Sequence, residues 1–452
     1  MKIAIVGAGI SGLATGYALL SRQPGLELVI LEAGLRAGGK VWTDHAPEGY
    51  ACEWGVNGFL NNKPGTLELM AQLGLEALPG YEAANRRYIY RRGALHPLPE
   101  SAPAFVASGL MSLRGRLRVL LEPFIRRGVV HDETLAAFAK RRLGREAFDA
   151  LIDPMASGVF AGDPHQMSLK SCFPRMHEIE SEYGSLVWGM IRSQLTARRE
   201  GKASGPGPGG TLTSFTQGMG EMTDRLVSRL GARIRLNAPV RSIARCQKRY
   251  ELSLDGGVEE ADLLILAAPA YAQADMLHDL APGISALLSG IEYPPLSVVC
   301  LGYREADLVE PPGGFGFLVP STEQRAILGT IVDSNVFPKR APEGAVLMRS
   351  MVGGARAPGK ARLADQELTD LVQSELREIM GIDASPGFTR IYRHERAIPQ
   401  YHVGHAARLE AIGEALGDYP GLVLTGNAFR GVSLNDCVEN ASRTAEKLLP
   451  RA

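Results

Sequence analysis

The chain has 452 residues, 45% of them hydrophobic and 22% charged, an ordinary balance for a soluble globular protein and long enough for about three domains. Its 49 basic and 49 acidic residues cancel, so no whole-molecule field recruits nucleic acid, and no apolar run is long enough to cross a bilayer. The five cysteines (Cys52, Cys172, Cys246, Cys300 and Cys437) are scattered and lack C-x-x-C pairing, which argues against a disulfide framework or structural zinc and fits a reducing cytoplasm.

The first predicted element is a buried strand at Ile3, Ala4, Ile5 and Val6, followed by Gly7, Gly9 and Gly12 in G-x-G-x-x-G spacing and then by a helical pattern. In such a strand-turn-helix the first glycine permits the tight turn. The second lets a pyrophosphate approach the backbone, and the third lets helix and strand pack closely. Lys2 ahead of an apolar stretch superficially imitates a secretory signal, but the glycine spacing assigns the segment to the fold. A second strand over 26–31 ends in Glu32, about 20 residues beyond the last glycine, where an acid accepts hydrogen bonds from a ribose. An adenosine dinucleotide is expected.

The next stretch, EAGLRAGGKVWTD, holds Arg36 and the pair Gly38-Gly39. A flavin dinucleotide laid back across the strand ends needs backbone close to it a second time, which a nicotinamide does not, so FAD is favoured. Arg36 is expected to neutralise phosphate while the glycines keep side chains away, and Lys40, Trp42 and Gly55 complete the flavin set at this end.

A helical region follows from about 101 to 199 and is closed by GKASGPGPGG, a mobile-loop composition. Within it, Leu113, Leu117, Leu120, Leu121 and Phe124 fall on one stripe with Arg114, Arg116, Arg118, Arg126 and Arg127 nearby. Two readings stand: a cationic amphipathic segment resting on anionic lipid, or a core-facing helix with a solvated basic side. Strand patterns then return around ARIRLNAPVRSI, YELSL and ADLLILAAPA, with Val240 placed for backbone contact with adenine. From 291 to about 412 the β-rich runs LSVVCLGY, GFGFLVP, AVLMRSMVGG and FTRIYRH suggest a sheet-containing substrate domain. His402 and His405 have no third ligand in sight and read as structural.

Near the end, Leu422–Leu424 reads as a strand, Gly426, Asn427, Gly431 and Val432 as a close-approach turn, and Leu434 onward as an amphipathic helix opened by Asn435 or Asp436. Its positive end, aimed at an isoalloxazine, would stabilise negative charge at N1 and C2=O. The expected fold is α/β (α+β overall) in three parts. A discontinuous Rossmann-like FAD-binding domain takes 1–80, 211–290 and 413–452. A helical domain, membrane-contacting on the first of the two readings above, takes 91–210, and a substrate-binding domain takes 81–90 and 291–412. No catalytic triad, carboxylate pair or metal cluster presents itself.

Together with NRRYIYRRGALHPLP, SGVFAGDPHQMSLKSCFP, GFGFLVP, IPQYHVGH and GVSLNDCVENA, these motifs make the chain resemble, along nearly its whole length, the oxygen-dependent protoporphyrinogen oxidases of haem synthesis. These are flavin enzymes related to the amine oxidases. The resemblance implies that Arg87 pairs with a substrate propionate, that Leu318 and Met351 sandwich the macrocycle, and that Gly158 lines its cavity. It places Asn57 where the family carries Asn or Arg near the flavin. The implied reaction is the six-electron oxidation of protoporphyrinogen IX to protoporphyrin IX by dioxygen, releasing hydrogen peroxide, with no certain catalytic side chain. Oxidation of coproporphyrinogen III and a non-catalytic flavin-binding partner of a haem-pathway enzyme stand as alternatives. Expected partners are the porphyrinogen, dioxygen, the cytoplasmic face of the inner membrane and the next haem-pathway enzyme, with no nucleic acid and with a homodimer left open.

Overall fold

The structure is a computed structural model that describes residues 1–99, 104–105, 108–128, 131–199, 210–310 and 313–450. The Gly/Pro-rich stretch 201–209 and parts of the helical region lie outside the described residues.

Five parallel strands form the first sheet, in the spatial order Ile234–Arg235, Glu27–Leu31, Lys2–Val6, Leu263–Leu266 and Leu422–Leu424. Both faces are buried, as parallel sheets require, so the strands are apolar almost throughout. Ile3, Ile5, Leu28 and Ile30 meet the helices Ile10–Arg22, Gly220–Leu230 and Leu434–Leu448 on one side. Ala4, Val6, Val29 and Leu31 meet, on the other, a three-stranded meander from Val240 to Ala261 and the helices Ala270–Leu277 and Pro282–Ser289. Segments far apart in sequence thus share one sheet.

The second sheet has seven strands, in the order Phe388–His394, Leu296–Arg304, Ala345–Gly353, Ile327–Val332, Gly316–Leu318, Arg87–Arg91 and Ala94–Pro97. Val346, Met348 and Val352 pack under the helix Asp365–Met380, and Ala345 and Leu347 point the opposite way, onto Tyr50 and Cys52 of the first unit. The boundary drawn between 90 and 91 therefore falls inside a strand, and residues up to Pro97 belong to this sheet rather than to the helices.

The third part is helical, and a buried ion cluster ties it together. Glu122 and Arg142, both fully buried, form an ion pair. Glu122 also accepts from Ser185 Oγ (2.7 Å) and Leu186 N (2.9 Å), and Arg142 donates to Ile125 O (2.7 Å), so the desolvated charges are largely satisfied. The helix Leu113–Leu120 settles one alternative. Leu113, Leu117, Leu120, Leu121 and Phe124 are exposed, Phe124 by 82%, and Arg118 instead reaches inward to the carbonyls of Arg141 and Arg142. The core-facing reading of that leucine stripe fails. Among the described residues no helix is long and apolar enough to cross a membrane.

Candidate functional site: a dinucleotide groove beside a sheet face

A cavity of about 780 Å³ lies over the ends of the parallel strands, where open α/β sheets place ligands. Gly7, Gly9, Glu32, Arg36, Gly39, Lys40, Val240, Asn427 and Val432 line it, together with Ser11, Trp54, Val56 and Tyr271. Gly12, Gly38, Trp42, Gly55, Gly426 and Gly431 stand outside the lining.

The three glycines of the first turn differ physically. Gly7 sits at φ +103°, where a side chain would be strained, and a Cβ on Gly12 would lie 1.9 Å from the Gly7 carbonyl. A Cβ on Gly9 would meet nothing nearer than 3.9 Å. It would project into free space at the start of the helix Ile10–Arg22, whose N-terminus no side chain caps. Unclaimed first-turn amides facing a glycine-cleared groove form a pyrophosphate cradle, so the residues present fit FAD.

Glu32 holds the turn as well as the groove. Its two carboxylate oxygens accept from Ala8 N and Gly34 N, both at 2.8 Å, leaving lone pairs for a ribose. Gly38 N donates to Ala8 O at 2.7 Å, and a Cβ on Gly39 would approach Gly9 Cα to 3.0 Å, which explains the second glycine pair as a backbone crossing. Arg36 was expected on phosphate. Its guanidinium lies 4.6 Å from the Trp42 ring centre and 4.7 Å from that of Trp54 and donates to the Ala37 and Gly39 carbonyls, so much of its donor capacity is already committed at the groove wall. Lys40 donates to the carbonyls of Arg396 and Ala397, and burial lowers its pKa to about 8.

At the other end Gly426 and Gly431 adopt φ of +124° and +81°. The helix Leu434–Leu448 is opened by Ser433, which forms a reciprocal box with Asp436, rather than by Asn435 or Asp436. Tyr401 donates its hydroxyl to Asn427 O and stacks on the buried His405 ring at 4.2 Å. Burial lowers the pKa of His405 to about 4.

Arg87, Leu318, Met351, Gly158 and Asn57 do not line this cavity. The strand register places the first three on one face of the seven-stranded sheet. One row across the strands runs Ile89, Leu318, Gly329, Met351, Val298, Tyr392, and the next row on that face runs Arg87, Gly316, Ile331, Arg349, Cys300, Arg390. Gly158, on the helix Asp153–Phe160, abuts Leu318, since a Cβ there would lie 2.9 Å from Leu318 Cδ2. Arg87 is exposed, lies 5.2 Å from the Phe315 ring centre, and among the described residues forms no ion pair. Asn57 follows Val56 of the cavity wall, and both polar atoms of its amide are buried without a hydrogen-bond partner.

Sequence reasoning passed over Arg349. It is buried in an apolar strand, two residues before Met351, and pairs with the fully buried Asp333 (Nε to Oδ2, 2.8 Å). Nearby, Glu53 accepts from Thr43 Oγ1 and Met219 N and lies 3.4 Å from Arg340. A charge inside an otherwise apolar strand was the available signal.

Comparison with known proteins agrees with this geometry. The sequence profile of the flavin containing amine oxidoreductases matches residues 10–449. The chain is 32% identical to a coproporphyrinogen III oxidase of Bacillus subtilis (strain 168), over 99% of this chain and 97% of that protein. It is 33% identical to a chloroplastic protoporphyrinogen oxidase of Oryza sativa subsp. japonica, over 98% and 87%. A crystal structure of an Exiguobacterium sp. 255-15 protein assigned provisionally as a protoporphyrinogen oxidase superposes with a TM-score of 0.83 at 28% identity, covering 100% of this chain and 99% of that one.

Proposed function

This chain belongs to the flavin containing amine oxidoreductase family, and we propose that it is an FAD-dependent porphyrinogen oxidase of haem biosynthesis whose substrate is protoporphyrinogen IX. Bound FAD supplies the two-electron acceptor, so three rounds remove six electrons and six protons from the macrocycle, with dioxygen reduced to hydrogen peroxide each time. The residues of the chain bind and orient. Glu32 and the glycine turn hold the dinucleotide, the face bearing Leu318 and Met351 accepts an apolar ring, and Arg87 takes a propionate through a two-pronged contact.

The observation that carries the choice of substrate is the economy of cations on that face. Among the described residues of the row, Arg349 is committed to Asp333, and Arg390 lies within 3.8 Å of Asp44 and 4.0 Å of Glu48. Arg87 alone of these three arginines lacks a carboxylate partner. Two propionates on one edge suit such a surface better than the four of coproporphyrinogen III. The exposed leucines around Leu113–Leu120 supply a membrane-resting patch through which an apolar substrate arrives.

Steady-state assays under air with both porphyrinogens, reading porphyrin fluorescence, test the reading. Faster turnover per unit concentration with protoporphyrinogen IX is expected. Preference for coproporphyrinogen III would move the substrate assignment to the alternative, and no turnover of either by FAD-loaded protein would leave only a flavin-binding partner role.

A further inference from the structure

The backbone between Trp54 and Phe59 crosses from the flavin cavity to the seven-stranded sheet. Trp54 is tied down on both sides: its N–H donates to Trp42 O at 2.9 Å, and its carbonyl meets His394 Nε2 at 2.9 Å. Phe59 is fixed by pairing with Thr213. In between, among the described residues, the backbone is held by one hydrogen bond, from Arg349 Nη1 to Gly55 O at 3.3 Å. Val56 of this span lines the cavity, and Asn57 carries the unpartnered amide.

Arg349 reaches this carbonyl from the same sheet face as Arg87, Leu318 and Met351. Its other nitrogens grip Asp333 at 2.8 and 3.4 Å, so the guanidinium is immobilised by a buried carboxylate and its remaining donor arm is aimed. A cation whose only task was to neutralise Asp333 would not need to cross to another layer. Gly55 also packs closely on the cavity's own backbone, since a Cβ there would come within 2.8 Å of the Lys40 carbonyl.

We infer that Arg349 is a positioning residue for the oxidation: by fixing Gly55 it sets the path of the segment 54–59 between the flavin cavity and the sheet face, and with it the placement of Val56 on the cavity wall and of the Asn57 side chain. The inference rests on the porphyrinogen reading for its substrate. It does not rest on that reading for the mechanical link between Arg349 and the segment 54–59.

Two measurements on the FAD-loaded enzyme separate these. Hydrogen exchange of a peptide covering 54–59, without substrate, should quicken at least several-fold in Arg349→Lys, which keeps a charge beside Asp333 but lacks the rigid fork. Turnover should show kcat lowered about tenfold or more with KM changed little, and Asn57→Ala should add nothing further in the Arg349→Lys background. Should Arg349→Lys fold poorly, Arg349→Met with Asp333→Asn removes both charges together and serves in its place. Unchanged exchange over 54–59, or losses in kcat that multiply between positions 349 and 57, overturns the inference. If wild-type protein oxidises no porphyrinogen, the substrate reading falls while the exchange result still decides whether Arg349 holds the segment.

Discussion

Leu318 and Met351 face each other across Gly329, on three adjacent strands of one sheet face. Two strand spacings separate them by roughly 10 Å. Leu318 is also bounded by Gly158, and the two glycines restrict it differently. A Cβ on Gly158 would press on the flexible end of Leu318, whereas a Cβ on Gly329 would lie 2.4 Å from the Phe317 carbonyl. Gly158→Ala is therefore expected to raise KM for a porphyrinogen several-fold with little change in Tm. Gly329→Ala should lower stability, by about 1–3 kcal/mol for an overpacked position. Equal losses of stability in thermal melts would refute this division of roles.

Arg87 is exposed and its guanidinium forms no ion pair among the described residues, so its removal leaves no buried charge behind. Arg87→Ala should change stability by no more than about 0.5 kcal/mol. Loss of a charged hydrogen bond to a carboxylate costs about 1.5–3 kcal/mol, so KM should rise about ten- to a hundredfold. Arg87→Lys should recover only part of the loss, because a lysine lacks the two-pronged fork. Initial-rate kinetics with protoporphyrinogen IX, set beside melts of the same samples, decide the matter.

The first glycine turn predicts opposite outcomes at two positions of identical type. Gly9→Val should fold and lose FAD, since its side chain enters open groove. Gly12→Val should fail to fold, since even a Cβ there would sit 1.9 Å from the Gly7 carbonyl. Circular dichroism with flavin absorbance on purified proteins separates the two.

Lys40 lines the same cavity and has a pKa lowered to about 8 by burial. Below that pH it is a cation on the wall of a cavity that takes an anionic dinucleotide, and above it is neutral. Affinity of apoprotein for FAD should accordingly fall as pH rises from 7 to 9, and Lys40→Met should bind more weakly at pH 7 with a flatter dependence. Reconstitution followed by flavin fluorescence quenching measures both.

Much of this site was legible because a nucleotide turn is a local device. Gly7, Gly9, Gly12 and Glu32 are set by spacing within one strand-turn-helix, and Gly38-Gly39 by its crossing of that turn. Residues whose meaning depends on register could be named only through the family resemblance or were missed. Arg87, Leu318 and Met351 share a face only because Gly316, Gly329 and Ile331 pair as they do, which no periodicity reveals. Arg349 passed as one polar break in an apolar strand because Asp333 and Gly55, its partners, lie 16 and 294 residues away. The leucine stripe at Leu113–Leu120 shows the limit from the other side. Helical period identifies an apolar face, but the contacts of the opposite side, Arg118 on the carbonyls of residues 141 and 142 and Ser112 on Glu146, turn that face outward.

Glu53 supplies a pH prediction for stability. Burial pushes its pKa up from the usual 4.5 to about 7, against the opposing pull of Arg340 and of the hydrogen bonds from Met219 and Thr43. Below pH 4.5 the carboxyl is protonated whether the chain is folded or not. Between 4.5 and 7 the folded protein keeps a proton that the unfolded chain has released, so this group's contribution is present at low pH and is lost as pH rises through 7. At about 1.4 kcal/mol per pKa unit, the loss is at most on the order of 3 kcal/mol. Glu53→Gln, a neutral isostere of the protonated form, should leave stability near pH 5 almost unchanged and exceed the wild type above pH 7. Urea unfolding midpoints of the two proteins at pH 5, 6, 7 and 8 give the comparison. If the glutamine variant is weaker above pH 7, the pairing of ionised Glu53 with Arg340 outweighs the cost of burying the charge, and the upward shift of its pKa is refuted.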